Sequence, residues 1–175
     1  MTSYVALLRG INVGGANKVR MGDLRGLFDA LGYSDAQTYI QSGNVVFSAT
    51  AEESALVAAI EAAIEETFAL QVPVVVRSRA QLAAVAATSP FDGAAPTAVH
   101  VAFLSGRPRA ASVAALDPDR SPPDTFAVAG REVYLHYPNG SGRSKLTVDY
   151  LERVLGTRAT ARNWNTVTKL LTMTG

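Results

Sequence analysis

Tyr39-Ile40-Gln41-Ser42-Gly43-Asn44-Val45-Val46-Phe47 is the stretch on which the reading of the fold turns. Thr38–Gln41 and Asn44–Phe47 flank the small residues Ser42-Gly43, and two short runs parted by such a turn predict a β-hairpin. On its N-terminal side Leu24, Leu27, Phe28 and Leu31, following Met21, recur at helical spacing and stop at Gly32, which predicts a helix over 21–31. Residues 4–9, ahead of that helix, read as a strand. On the C-terminal side Leu56, Ile60, Ala63, Ile64 and Phe68 mark a second amphipathic helix. Val72–Val76 then reads as a buried strand, and Pro73 suits a sheet edge or a strand start. The order βαββαβ is that of a ferredoxin-like sandwich, an antiparallel sheet with both helices on one face.

Working outward, a short helix at 79–87 and a loop through Pro90, Asp92-Gly93 and Pro96 form a connector. Beyond it Val99–Leu104 is a strand, 109–115 a helix and Asp117–Pro123 a Pro/Asp-rich loop. Thr125–Val128 and Glu132–Tyr137 form a hairpin turning at Ala129-Gly130, and helices follow at 146–155, ending at Gly156, and at 163–171. The second half thus reads βαββαα, an echo of the first in element order and not in residues. The expected organisation is α+β: a ferredoxin-like unit at 1–78, a helical connector at 79–96, and a second, smaller α+β subdomain with an antiparallel sheet at 97–175.

A chain of 175 residues with 48% hydrophobic content buries a sizeable core without staples. It holds no cysteine, which excludes disulfides, thiolate nucleophiles and Cys-ligated metals. The start, Met1-Thr2-Ser3-Tyr4 running into Val5–Leu8, reads as a first strand rather than a signal peptide. No run of about 20 apolar residues suits a membrane span, so no membrane partner is expected. A net charge of +1 argues against a dedicated nucleic-acid binder, although the charge is unevenly spread. Arg9, Lys18 and Arg20 stand in residues 1–20 without an acid, whereas Glu52, Glu53, Glu61, Glu65 and Glu66 stand together without a base.

Four segments carry candidate chemistry. Leu7–Gly15, with Asn17, Lys18 and Arg20, is a Gly-rich cationic loop between strand and helix; such a loop wraps an anion with backbone N–H groups, or simply needs glycine for positive φ while Arg9 and Asn12 tie it down. It matches neither the dinucleotide fingerprint nor the Walker A pattern. In the hairpin, Gln41, Ser42 and Asn44 either orient a ligand or hydrogen-bond their own turn. In Pro138–Lys145, Arg143 and Lys145 flank a helix start, but Ser144 before Lys145 and Leu146 after it depart from Walker A. Capping by Ser144 or Thr147 is the alternative role. In Thr160–Leu170, Trp164, Val167 and Leu171 share a helical face, which makes Trp164 a core anchor. Arg162, Asn163, Asn165 and Lys169 are left for another face, for a ligand or for capping. His100 and His136 lie 36 positions apart with no partner at ligand spacing, so no metal site is expected. No cofactor is expected either, no residue is singled out as catalytic, and the aromatics that RNA-recognition sheets display are missing.

Taken together, LLRGINVGG at 7–15, YIQSGNVVF at 39–47, VPVVVR at 72–77, GRSKL at 142–146 and TARNWNTVTKL at 160–170 resemble the bacterial family called domain of unknown function 1697. The resemblance implies a cytoplasmic bacterial α+β protein containing ferredoxin-like structure, and it implies no activity.

The functional expectation is an electropositive cleft between the halves that takes an anion: a phosphorylated small molecule, a nucleotide or, less well supported, a nucleic-acid backbone. Arg9, Lys18, Arg143, Lys145 and Arg162 supply charge in this reading, and Asn12, Gln41, Ser42, Asn44, Asn163 and Asn165 supply neutral donors and acceptors. The alternative is a structural or interaction module in which the same Arg and Asn groups lock the halves together.

Overall fold

Tyr4-Val5-Ala6-Leu7-Leu8 has no polar residue to turn toward water, a pattern that suits a strand covered on both faces. In the computed structural model, which describes residues 1–175, it lies in β1 (Thr2–Leu8), next to the edge of a four-stranded antiparallel sheet. With β2 (Ser34–Tyr39), β3 (Asn44–Ala49) and β4 (Val74–Ser78), the sheet order is β2-β3-β1-β4. Pro73 precedes β4, an edge strand, as its missing N–H requires. Helices α1 (Met21–Ala30) and α2 (Glu53–Phe68) cover one face. Leu24, Leu27, Phe28, Leu56, Ile60 and Ile64 pack there on the alternate residues Tyr4, Ala6, Leu8, Val45, Phe47, Val74 and Val76. Each buried Val, Leu, Ile or Phe side chain among them contributes about 1.5–3 kcal/mol. The intervening residues Val5, Leu7, Val46, Val75 and Arg77 are buried as well.

The second sheet joins β5 (Val99–Leu104), β6 (Thr125–Ala129), β7 (Glu132–His136) and β8 (Ala159–Asn163) in the order β6-β7-β5-β8, which is the order of the first. Between them run α4 (Ala110–Ala114) and α5 (Val148–Leu155), with Tyr150, Leu151 and Leu155 packed on Ala102, Leu104, Val133 and Leu135. The expected βαββαα is therefore corrected to βαββαβ plus a final helix. Residues 159–163 pair with β5 from His100↔Asn163 to Leu104↔Ala159. Ala-Thr-Ala-Arg-Asn has little intrinsic strand preference, and it is the ladder to β5 that makes it a strand. The first hairpin also differs from expectation: Tyr39 pairs with Asn44, so the turn is a four-residue loop, 40–43.

The chain forms two compact units, Met1–Ala84 with Lys169–Gly175, and Val85–Thr168. These boundaries differ from the expected 1–78, 79–96 and 97–175. Helix α3 (Arg79–Ala87) is no separate connector, since it begins in the first unit and ends in the second. Helix α6 (Trp164–Met173) begins in the second and ends in the first, where Arg79 Nη1 donates to Thr174 O at 3.1 Å and Leu170 is buried.

The two units match in residues as well as in order. Val5-Ala6-Leu7-Leu8-Arg9-Gly10 and Val101-Ala102-Phe103-Leu104-Ser105-Gly106 hold equivalent places and share Val, Ala, Leu and Gly. Leu8 N donates to Gly43 O and Leu104 N to Arg131 O, both at 2.8 Å; Arg9 N donates to Pro73 O at 3.0 Å and Ser105 N to Arg158 O at 2.8 Å. Arg77 opposite Val5 matches Arg162 opposite Val101, and both arginines are buried. One connection departs from the repeat. Residues 105–109 carry β5 to α4, whereas the equivalent step from β1 to α1 takes residues 9–20.

Candidate functional site

The long connection is shaped by residues that tolerate left-handed backbone. Gly10, Asn12, Gly14, Gly15 and Asn17 have φ of 72°, 54°, 58°, 79° and 49°. Val13 bridges Ala16 across Gly14-Gly15, and two central residues of positive φ are what a tight type I′ hairpin turn demands. Ile11 and Val19 anchor the base of this small hairpin in the core of the first unit.

Asn12 is the tie. Its Oδ1 accepts from Val19 N at 2.8 Å, and its Nδ2 donates to Val19 O at 2.9 Å and to Gln41 O at 2.8 Å, so one amide joins the loop to the β2–β3 turn. The turn docks through Gly43, where an added Cβ lies 2.7 Å from Ile11 Cδ1 and 2.9 Å from Leu8 Cβ. Asn44, fully buried, donates through Nδ2 to Tyr39 O at 2.9 Å and to Ser42 Oγ at 3.0 Å.

Loop, turn, the start of α1 and the end of α2 border an open cavity of about 640 Å³. Its walls are Asn12, Gly15, Lys18, Val19, Arg20, Met21, Asp23, Gln41 and Phe68. Lys18, Arg20, Asp23 and the Gln41 side chain are exposed and make no ion pair or side-chain hydrogen bond. Phe68 is half-buried, packed against the core and also lining the cavity. The site therefore offers two cations, one carboxylate, the Gln41 amide and an apolar wall.

Of the residues singled out from sequence, the structure brings Asn12, Lys18 and Gln41 together at this cavity. Ser42 and Asn44 close their own turn, and Arg9, half-buried at the loop's start, does not line the cavity. Arg20, Asp23 and Phe68 are additions. Arg20 was legible as part of the cationic loop, whereas Asp23, in the first turn of α1, was not singled out, and Phe68, 50 positions from Lys18, carried no local signal.

In the second unit Arg143 and Lys145 are exposed on the connection to α5. That connection is held by Ser121 Oγ, which accepts from Lys145 N at 3.0 Å, and Thr147 caps α5 by accepting from Tyr150 N. Asn163 caps α6, its Oδ1 accepting from Thr166 N at 2.9 Å, and Asn165 is exposed. Arg162 is only 8% exposed; its Nη1 donates to Thr160 Oγ1 at 2.9 Å and to Ala161 O at 2.8 Å, and burial pushes its pKa down to about 10. Trp164 is half-buried rather than a core anchor, and lines a pocket of about 150 Å³ with Ser89, Phe91 and Asp92. His100 sets its ring edge-on to Tyr137, with centroids 5.1 Å apart, and its buried Nδ1 has no partner; burial lowers its pKa. No group of three or more His, Asp or Glu side chains is placed to hold a metal ion, and no helix is long and apolar enough to cross a membrane.

These features define an α+β protein of two ferredoxin-like repeats, with a cation-lined cavity built on one enlarged loop of the first. The model of the family described as "Protein of unknown function (DUF1697)" matches residues 1–134, and the chain belongs to that family. The match takes in the cavity and ends within β7, short of Gly142–Leu146 and Thr160–Leu170. The conserved bacterial protein SP0830 from Streptococcus pneumoniae is similar in fold, with a TM-score of 0.74 over 99% of each chain at 24% identity. None of the curated proteins matches the sequence.

Proposed function

We propose that this protein works in the cytoplasm and binds a phosphate-bearing small molecule in the cavity of the first unit. The observation that carries the reading is the pair Lys18 and Arg20, both without a carboxylate partner, on the wall of a cavity of about 640 Å³. The second unit supports it by contrast, because the same topological step is closed there in five residues, 105–109. The greater length of 9–20 serves to build the cavity wall rather than to connect strand to helix. Arg and Lys charge beside the backbone N–H groups of a Gly-rich loop suits a phosphate, and a concave site of this size suits a small molecule better than a nucleic-acid backbone. The structural reading keeps support at Arg162, which is buried and bonded within its own strand.

Thermal-shift screening against phosphorylated metabolites and nucleotides tests the proposal. Stabilising compounds are expected, and their shift is expected to vanish in Lys18→Ala and Arg20→Ala proteins while Arg143→Ala retains it. A shift that survives both first-unit changes places the ligand elsewhere.

A further inference from the structure

From the remaining walls of the same cavity we infer that its ligand is a nucleoside phosphate, an assignment that rests on the phosphate reading above. A volume of about 640 Å³ far exceeds what a lone anion fills and lies among pockets of about 300–1,000 Å³ that enclose drug-sized molecules. The ligand therefore has a body beyond its phosphate. Two walls say what that body is.

Asp23 is an acceptor-only carboxylate in a site otherwise suited to anions, and it is not spent on Lys18 or Arg20. A ligand of phosphate alone gains nothing from it and suffers repulsion. A neutral hydroxyl donates to it, and a sugar next to a phosphate supplies such hydroxyls. Phe68 lines the cavity from the end of α2, half-buried and packed against the core, and so brings an aromatic side chain to the site; Met21 supplies further apolar wall. Aromatic rings stack on such side chains, and nucleobases do so with little dependence on sequence. Phosphate on Lys18 and Arg20, ribose on Asp23 and base on Phe68 together account for the charged and the large apolar side chains of the cavity.

Isothermal titration with inorganic phosphate, ribose 5-phosphate, AMP and 2′,3′-dideoxy-AMP separates the parts. AMP is expected to bind at least tenfold more tightly than ribose 5-phosphate or the dideoxy compound. Asp23→Ala, which removes the acceptor, is expected to abolish the advantage of AMP over dideoxy-AMP. Phe68→Leu, which keeps apolar volume at the core edge where Phe68→Ala risks the fold, is expected to abolish the advantage of AMP over ribose 5-phosphate. Equal binding of ribose 5-phosphate and AMP, or tighter AMP binding in Asp23→Ala, overturns the nucleoside assignment and leaves the phosphate reading standing. Failure of all four probes to bind overturns both.

Discussion

Gly43 and His100 show how single residues set the terms on which each unit holds together. Gly43 has φ of 87° and lies against Leu8 and Ile11, so a methyl group there meets both a backbone penalty and a clash. Left-handed backbone in a residue with Cβ costs about 1–2 kcal/mol and overpacking about 1–3 kcal/mol. Gly43→Ala is thus expected to lower the unfolding free energy by about 3 kcal/mol in urea titration and to shift the amide resonance of Gln41, whose carbonyl Asn12 holds. His100 acts through pH. Burial lowers its pKa from the ordinary value of 6.5, so the folded state favours the neutral ring. Its contribution is complete above pH 6.5 and is lost as pH falls through the lower folded value, because there the unfolded chain binds more protons. The urea midpoint is expected to fall between pH 7 and 5, and His100→Phe to flatten that fall. An unchanged slope in the variant assigns the pH dependence to other groups.

At the scale of elements, the β1–α1 connection separates into parts with different work. Ile11 and Val19 are buried and hold the base, whereas Val13–Ala16 is exposed. Replacing Val13-Gly14-Gly15-Ala16 by Gly-Gly keeps a two-residue turn between Asn12 and Asn17 and removes Gly15 from the cavity wall. The melting temperature is expected to stay within about 3 °C, since exposed changes cost little, while the thermal shift by phosphorylated compounds is lost. A variant that melts normally and still responds to them removes this hairpin from the site. The helices and most strands were legible because their apolar spacing is local: Leu24, Leu27 and Phe28 in α1 have no rival reading. Strand β8 was not, because Ala159, Ala161 and Asn163 declare no period of their own and become a strand only through β5.

For the whole molecule, the repeat and the two crossing helices matter most. Each unit ends in a strand bearing a buried arginine and then gives the far end of its helix to the other unit. Residues 1–84 are therefore an incomplete unit without 169–175. Leu170, 1% exposed, tests this: Leu170→Ala is expected to destabilise by about 3 kcal/mol, in the range of buried Leu truncations. Isolated 1–84 is expected to give poorly dispersed NMR spectra, and a well-folded fragment argues that the C-terminal segment is dispensable.

Helical periodicity, the hairpin around Gly43 and the cationic loop at 9–20 could be read from the chain alone, because each depends on neighbours within a few turns of backbone. The architecture of the first unit followed from them. Only the tertiary structure decided that 159–163 is a strand, that the second half repeats the first, and that Arg162 is held by its own strand while Lys18 and Arg20 stand without partners. It alone added Asp23 and Phe68 to the cavity. The physical reason is that burial, cross-strand pairing and cavity walls join residues far apart in sequence, and such pairings leave no period in the sequence to read.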